Sequence, residues 1–256
     1  MILAVDIGNT NIVLGGIEDG NILFEARVAT DLVKTSDQYA VELKNILAVY
    51  HADCSQFESS IISSVVPPVQ NSIRAAIRKL TGKLPIVVGP GIKTGLNILI
   101  DNPAQTGADL IVGAVAAIHE YAAPMALVDM GTATTISVIN EKGALVGGCI
   151  CPGVRISMEA LNSRTAQLPG ISLEAPRRAI GRNTIDCMRS GIMVGAAAML
   201  EGLIERMEEE LGQRLNVIAT GGIARFVVPL CRREMTYDKD LILKGLWILH
   251  EQNKKP

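Results

Sequence analysis

A short stretch near the start of the chain returns half a chain later. Residues 3–10 read L-A-V-D-I-G-N-T and residues 126–133 read A-L-V-D-M-G-T-A; aligned on Asp6 and Asp129, the offset is 123 residues in a chain of 256. The likeness runs on past the motif. An apolar run follows each aspartate (Ile12 to Gly16; Thr135 to Ile139), then a turn (Glu18-Asp19-Gly20-Asn21; Asn140-Glu141-Lys142-Gly143), then a second apolar segment (Ile22 to Phe24; Ala144 to Val146). Each half therefore opens as a three-stranded antiparallel meander with an aspartate at the end of its first strand. A chain made of two such copies is expected to fold as two similar α/β domains, 1–118 and 119–256, with a ligand cleft between them.

The remainder of each half alternates helices and strands. Thr35 and Gln38 have capping-box spacing, and Tyr39, Leu43, Ile46, Leu47 and Tyr50 follow at helical intervals. Ser60 to Val66 reads as a strand closed by Pro67-Pro68, and Val69, Ile73, Ala76, Ile77 and Leu80 stripe the next helix. A short strand covers Pro85 to Val88, and an alanine-rich helix runs from Gly107 to Tyr121. In the second half, Pro152-Gly153 precedes a helix carrying Ile156, Ala160 and Leu161, and Thr184 is placed to cap a long helix from Ile185 to Leu211. Leu215 to Ala219 is a strand entering Thr220-Gly221-Gly222, and Leu241 to Asn253 is a final amphipathic helix.

Composition narrows the partners. The net charge is −2, so the chain lacks the basic excess that neutralises duplex phosphates, and aromatics at 3% are too few for base-stacking platforms. No nucleic-acid partner is expected. The longest apolar run, Leu110 to Ile118, falls far short of the ~20 residues of a membrane span, so no membrane partner is expected either. Five scattered cysteines fit a reducing cytoplasm. Cys149 and Cys151 read as small core residues, and His51, His119 and His250 as surface or rim positions.

The aspartate turns suit phosphate chemistry. Glycine lets the backbone approach a phosphate closely, and turn N–H groups with Thr or Asn side chains donate to its oxygens. The carboxylate needs a cation such as Mg²⁺ between itself and the phosphate, often through water. One such turn is also an ordinary hairpin; two at half-chain spacing are far more specific. No G-x-x-x-x-G-K-[ST] loop, no G-x-G-x-x-G after a strand and no G-x-S-x-G elbow is present.

The set D-I-G-N-T-N (Asp6–Asn11), G-A-D (Gly107–Asp109), D-M-G-T-A-T-T (Asp129–Thr135), G-G-x-I-x-P-G (Gly147–Gly153), G-R-N-T (Gly181–Thr184), T-G-G (Thr220–Gly222) and L-I-L-K-G-L (Leu241–Leu246) resembles type III pantothenate kinase, collinearly over the whole chain. The resemblance implies duplicated ribonuclease H-like (actin-like ATPase) domains with a nucleotide cleft between them. It implies ATP-dependent phosphorylation of pantothenate, the first step towards coenzyme A, by a cytoplasmic homodimer requiring Mg²⁺ and a monovalent cation, K⁺ or NH₄⁺. By position, Asp6, Ile7, Gly8, Asn9, Thr10, Asn11, Ile12, Val13 and Thr132 would contact ATP. Gly107, Ala108, Asp109, Leu110 and Thr184 would contact pantothenate. Asp129 would bind the monovalent cation, and Asp6 would face Mg²⁺.

Asp109 resembles the general base of the family. Read from the residues alone, it is a helix N-terminal acid that complements the dipole. One departure stands out: the family's G-x-D-R ends here in Leu110. Leucine supplies neither the permanent charge nor the forked donors of arginine, and Arg155 or Arg182 would have to compensate. The alternatives are a kinase for another small acceptor and a degenerate nucleotide-binding regulatory paralogue.

Overall fold

The computed structural model describes residues 1–254, and the chain forms two compact units. The first contains 1–96, 101–119 and the segment from Asp240 onward; the second contains 97–100 and 120–239.

In the first unit, β1 (Ile2–Ile7), β2 (Asn11–Glu18) and β3 (Asn21–Ala29) form the expected meander, and β4 (Ser59–Ser64) and β5 (Ile86–Val87) extend it in parallel. The sheet order is β3-β2-β1-β4-β5. β1 is apolar along nearly its whole length because both faces are covered. Leu3, Val5, Ile7, Ile12 and Leu14 pack under α1 (Ser36–Val49) and α2 (Pro67–Thr81). Ile2, Ala4 and Ile61 face α3 (Ala108–Glu120) and α8 (Leu241–Asn253). The capping box forms as read: Gln38 N donates to Thr35 Oγ1 and Thr35 N donates to Gln38 Oε1. β3 runs past Phe24 to Ala29, because pairing with β2 continues beyond a register shift at Gly16/Ile17.

The second unit repeats the plan. Its sheet order is β11-β10-β7-β8-β9-β6, from β7 (Met125–Met130), β8 (Ala133–Ile139), β9 (Ala144–Pro152), β10 (Asn216–Thr220), β11 (Thr236–Tyr237) and β6 (Asn97–Ile98). Ala126, Val128, Met130 and Ile136 share a core with Ile192, Met193, Ala197, Leu200 and Ile204 of the long helical segment. That segment consists of α5 (Thr184–Arg189), a π-helical turn (Ser190–Val194) and α6 (Gly195–Leu211). By length and composition it is the one helix among the described residues apolar enough to cross a membrane, a weak signal. Here the apolar side packs into the core. α4 (Val154–Arg164) and the short α7 (Ala224–Val227) complete the unit.

Three readings change. The boundary at 118/119 does not divide the chain cleanly, since α8 joins the first unit through Leu243, Leu246 and Leu249, which bury against Ile2, Ala4 and Ile61. The long helix is capped by Asn183, not Thr184: Asn183 has extended backbone and its Oδ1 accepts from Asp186 N at 2.9 Å. His250 is buried rather than peripheral, with its Nε2 2.8 Å from Ser59 Oγ, and burial lowers its pKa from the ordinary histidine value.

Candidate active site

In the first unit the chain leaves β1 through a turn closed by Gly8 N donating to Asn11 O (3.0 Å). The end of β3 clamps this turn: Thr30 Oγ1 donates to Gly8 O (2.6 Å) and Thr30 N to Thr10 O (2.9 Å). Asn9, Thr10 and Asn11 are exposed, Gly8 is half-buried, and Asp6 is half-buried at the strand end. Ile7 and Ile12 are fully buried in the core and sit in the strand ladders on either side of the turn; Val13 packs towards the α3/α8 face.

The second unit builds the corresponding turn one residue shorter. Gly131 N donates to Ala133 O (2.9 Å) just after Asp129 and Met130. Gly153 presses on it so closely that a Cβ there would lie 2.0 Å from Thr132 O. Gly221, at φ +91°, leaves room for the aspartate: its Cβ would fall 2.6 Å from both Asp129 Oδ1 and Met130 O. The half-buried Asp129 shares a rung with Thr135 on β8 and Thr220 on β10, and the buried Thr135 Oγ1 has no protein partner.

Asp109 lies in the first turn of α3, on the sheet face that also carries Asp6. Val65 N donates to Ile7 O (3.1 Å), and a Cβ on Gly107 would lie 3.7 Å from Val65 Cγ1. This places the N-terminus of α3 at the same strand-end corner as the Gly8 turn. Asp109 Oδ1 accepts from Leu110 N (2.8 Å) and folds back over Gly107, where a Cβ would sit 2.4 Å away. Burial pushes the Asp109 carboxyl above its ordinary value, only partly offset by the backbone hydrogen bond. A half-buried carboxyl poised in this way suits proton acceptance.

Leu110 and Ala108 are half-buried beside Asp109. Thr184 is exposed at the start of α5, where Arg177, Arg178, Ile180, Gly181, Arg182 and Asp186 line a concavity of about 220 Å³. A larger concavity, about 650 Å³, lies at the opposite end of β10 from Thr220, among Tyr121, Arg214, Asn216, Arg233 and Thr236. It is remote from the strand-end aspartate, and Arg233 there is committed to Glu208.

No group of three or more His, Cys, Asp or Glu among the described residues could hold a metal on its own. One carboxylate per strand end fits a Mg²⁺ that arrives with phosphate oxygens and water rather than a cation caged by protein. The Asp129 carboxylate and Met130 carbonyl, crowded against Gly221, are the oxygen set that suits a hard cation. Ser63 and Thr106 escaped the sequence reading; each has a buried hydroxyl without a protein partner. Only the parallel register Asp6↔Ser63 brings the first of them onto the rung of the strand-end aspartate.

The model of the type III pantothenate kinase family matches residues 2–206. Among solved structures, a protein from Campylobacter jejuni described as a conserved Baf family transcriptional activator is 19% identical over 98% of each chain, at TM-score 0.61. The activator of the 2-hydroxyisocaproyl-CoA dehydratase from Clostridium difficile, solved with bound ADPNP, is 12% identical over 98% of this chain and 95% of its own, at 0.58. A Sinorhizobium meliloti protein described as a 2-dehydro-3-deoxygalactonokinase is 13% identical over 100% of this chain and 98% of its own, at 0.59. These likenesses show the fold: the duplicated α/β architecture of actin-like ATPases and sugar kinases.

Proposed function

The chain belongs to the type III pantothenate kinase family, and on that premise we propose that it transfers the γ-phosphoryl group of ATP to the terminal hydroxyl of pantothenate. The observation that carries this reading is the corner of the first unit where the Gly8 turn lies near the start of α3, which carries the half-buried Asp109 carboxyl. Asp6 to Val13 and Thr132 are assigned to ATP, with the exposed Asn9, Thr10 and Asn11 offering side chains and turn backbone while Ile7, Ile12 and Val13 hold the turn in place. Gly107, Ala108, Asp109, Leu110 and Thr184 are assigned to pantothenate.

In the reaction the acceptor oxygen attacks the γ-phosphorus, the bond to the β-phosphate oxygen breaks, and Asp109 takes the hydroxyl proton as ADP leaves. Asp6 would hold the hydrated Mg²⁺, which spreads the charge developing on the phosphates; Asp129 would hold K⁺ or NH₄⁺. Free thiols at all five cysteines accord with the cytoplasmic assignment, and the homodimer belongs to the same proposal.

A coupled assay for ADP release on adding pantothenate, with Mg²⁺ and K⁺, tests the reading. Turnover no higher than that of an Asp109→Asn control overturns it. Leu110 favours one second reading, a nucleotide-binding regulator, because a leucine beside the base offers no charge to the pantothenate carboxylate. On the kinase reading, Leu110→Arg raises kcat/KM for pantothenate by roughly tenfold, the scale of one charge-assisted hydrogen bond. An unchanged value would place carboxylate recognition elsewhere, with Arg155 and Arg182 as the residues to substitute next.

A further inference from the structure

Buried hydroxyls nearly always find a hydrogen-bond partner, because leaving one unmet forfeits its hydration. Ser63 does not. It is 0% exposed, its Oγ has no partner in the protein, and it lies in the next-to-last position of β4, on the same rung as Asp6 of β1. Residues opposite each other on neighbouring strands share a face, so Ser63 and Asp6 point to the same side of the sheet.

Which side follows from its neighbours. Two residues back, Ile61 joins the core formed with α3 and α8, and two further back Ser59 Oγ meets His250 of α8. Beyond the strand, Val65 lies near the residue that precedes α3: a Cβ on Gly107 would sit 3.7 Å from Val65 Cγ1. Ser63 thus lies on the sheet face that α3 and α8 cover, on the rung of Asp6 and towards the strand-end corner where α3 begins. In the second unit the position equivalent to Ser63 is Thr220 of β10, buried and on the rung of Asp129.

We propose that Ser63 is a positioning residue of the nucleotide site, its hydroxyl hydrogen-bonded to the hydration shell of the divalent cation held by Asp6. This rests on the kinase reading. The fit is chemical: a single carboxylate cannot organise an octahedral hydrate, whose waters need further acceptors. A buried hydroxyl on the carboxylate's own rung supplies one. The geometry also separates this role from a packing role, because removing a hydroxyl that bonds nothing in the protein leaves the ligand-free fold intact.

The test compares the unaltered chain with Ser63→Ala and, should alanine leave a disruptive void, the volume-preserving Ser63→Cys. Thermal melting without ligand is measured together with binding of Mn²⁺·ATP by electron paramagnetic resonance and of metal-free ATP by calorimetry. The expected result is an unchanged or higher melting temperature, roughly 10- to 100-fold weaker Mn²⁺·ATP binding and unaltered affinity for metal-free ATP. Equal Mn²⁺·ATP affinity in the variants, or an equal loss with and without metal, overturns the Ser63 assignment alone. Failure of the unaltered chain to bind Mn²⁺·ATP overturns the kinase reading beneath it.

Discussion

Asp109 combines two requirements in one side chain. Its Oδ1 accepts from Leu110 N, which is the helix-terminal role legible from its position, and its burial raises its pKa, which was not legible. A carboxyl whose folded pKa lies above its unfolded value contributes stability that is complete below the unfolded value and is lost as pH rises through the folded one. At neutral pH Asp109 is therefore a cost to the fold that its proposed catalytic role would explain. Asp109→Asn is expected to lower kcat by about 10²- to 10⁴-fold while melting no lower, or higher, at pH 7; steady-state kinetics and calorimetry check both. The acid limb of the kcat profile should lie above the ordinary carboxylate range. Ser63 was out of reach of local pattern, because its relation to Asp6 is a strand pairing across 57 residues of sequence.

Among the elements, the close approach of β9's end to the second turn is decided by backbone atoms. Gly153→Ala would put a Cβ 2.0 Å from Thr132 O, so the Gly131–Thr132 turn must move. The expected consequence is at least a roughly tenfold loss of ATP affinity by calorimetry, since turn N–H groups held in place are what bind phosphate. The long helix is tied to the segments leading into β10 and β11: Arg233 Nη1 donates to Glu208 Oε2 (2.9 Å), Leu215 N donates to Glu208 Oε1 (2.7 Å), and Arg214 lies 3.7 Å away. Arg233 holds the Glu208 carboxyl at about 2, well below the ordinary 4.5. A depressed carboxyl contributes stability above the unfolded value and loses it as pH falls through the folded one. Glu208→Gln should therefore melt lower at pH 7, by about 5 °C. Its melting temperature should then fall less than that of the unaltered chain between pH 4.5 and about 2.

For the whole molecule, the informative element is the last one. α8 was readable as an amphipathic helix from Leu241 to Asn253, and those bounds hold, yet its place in the fold was not. Its leucines cover the sheet face that carries Ile2, Ala4 and Ile61. A fragment of residues 1–118 should therefore show no cooperative melting transition, because it exposes that apolar face; a sharp transition like that of the intact chain would count against the packing described. The repeat, the two meanders, the aspartate turns and most helix bounds follow from sequence, because periodicity, capping and turn residues act over a few positions. Tertiary structure alone decided that Ser63 shares a rung with Asp6, that Gly221 makes room for Asp129, that His250 is buried, and that the chain's end returns to its first unit. Each of these depends on which distant segments bury the same apolar surface. That choice is made by packing across the whole chain, and no window of neighbouring residues contains it.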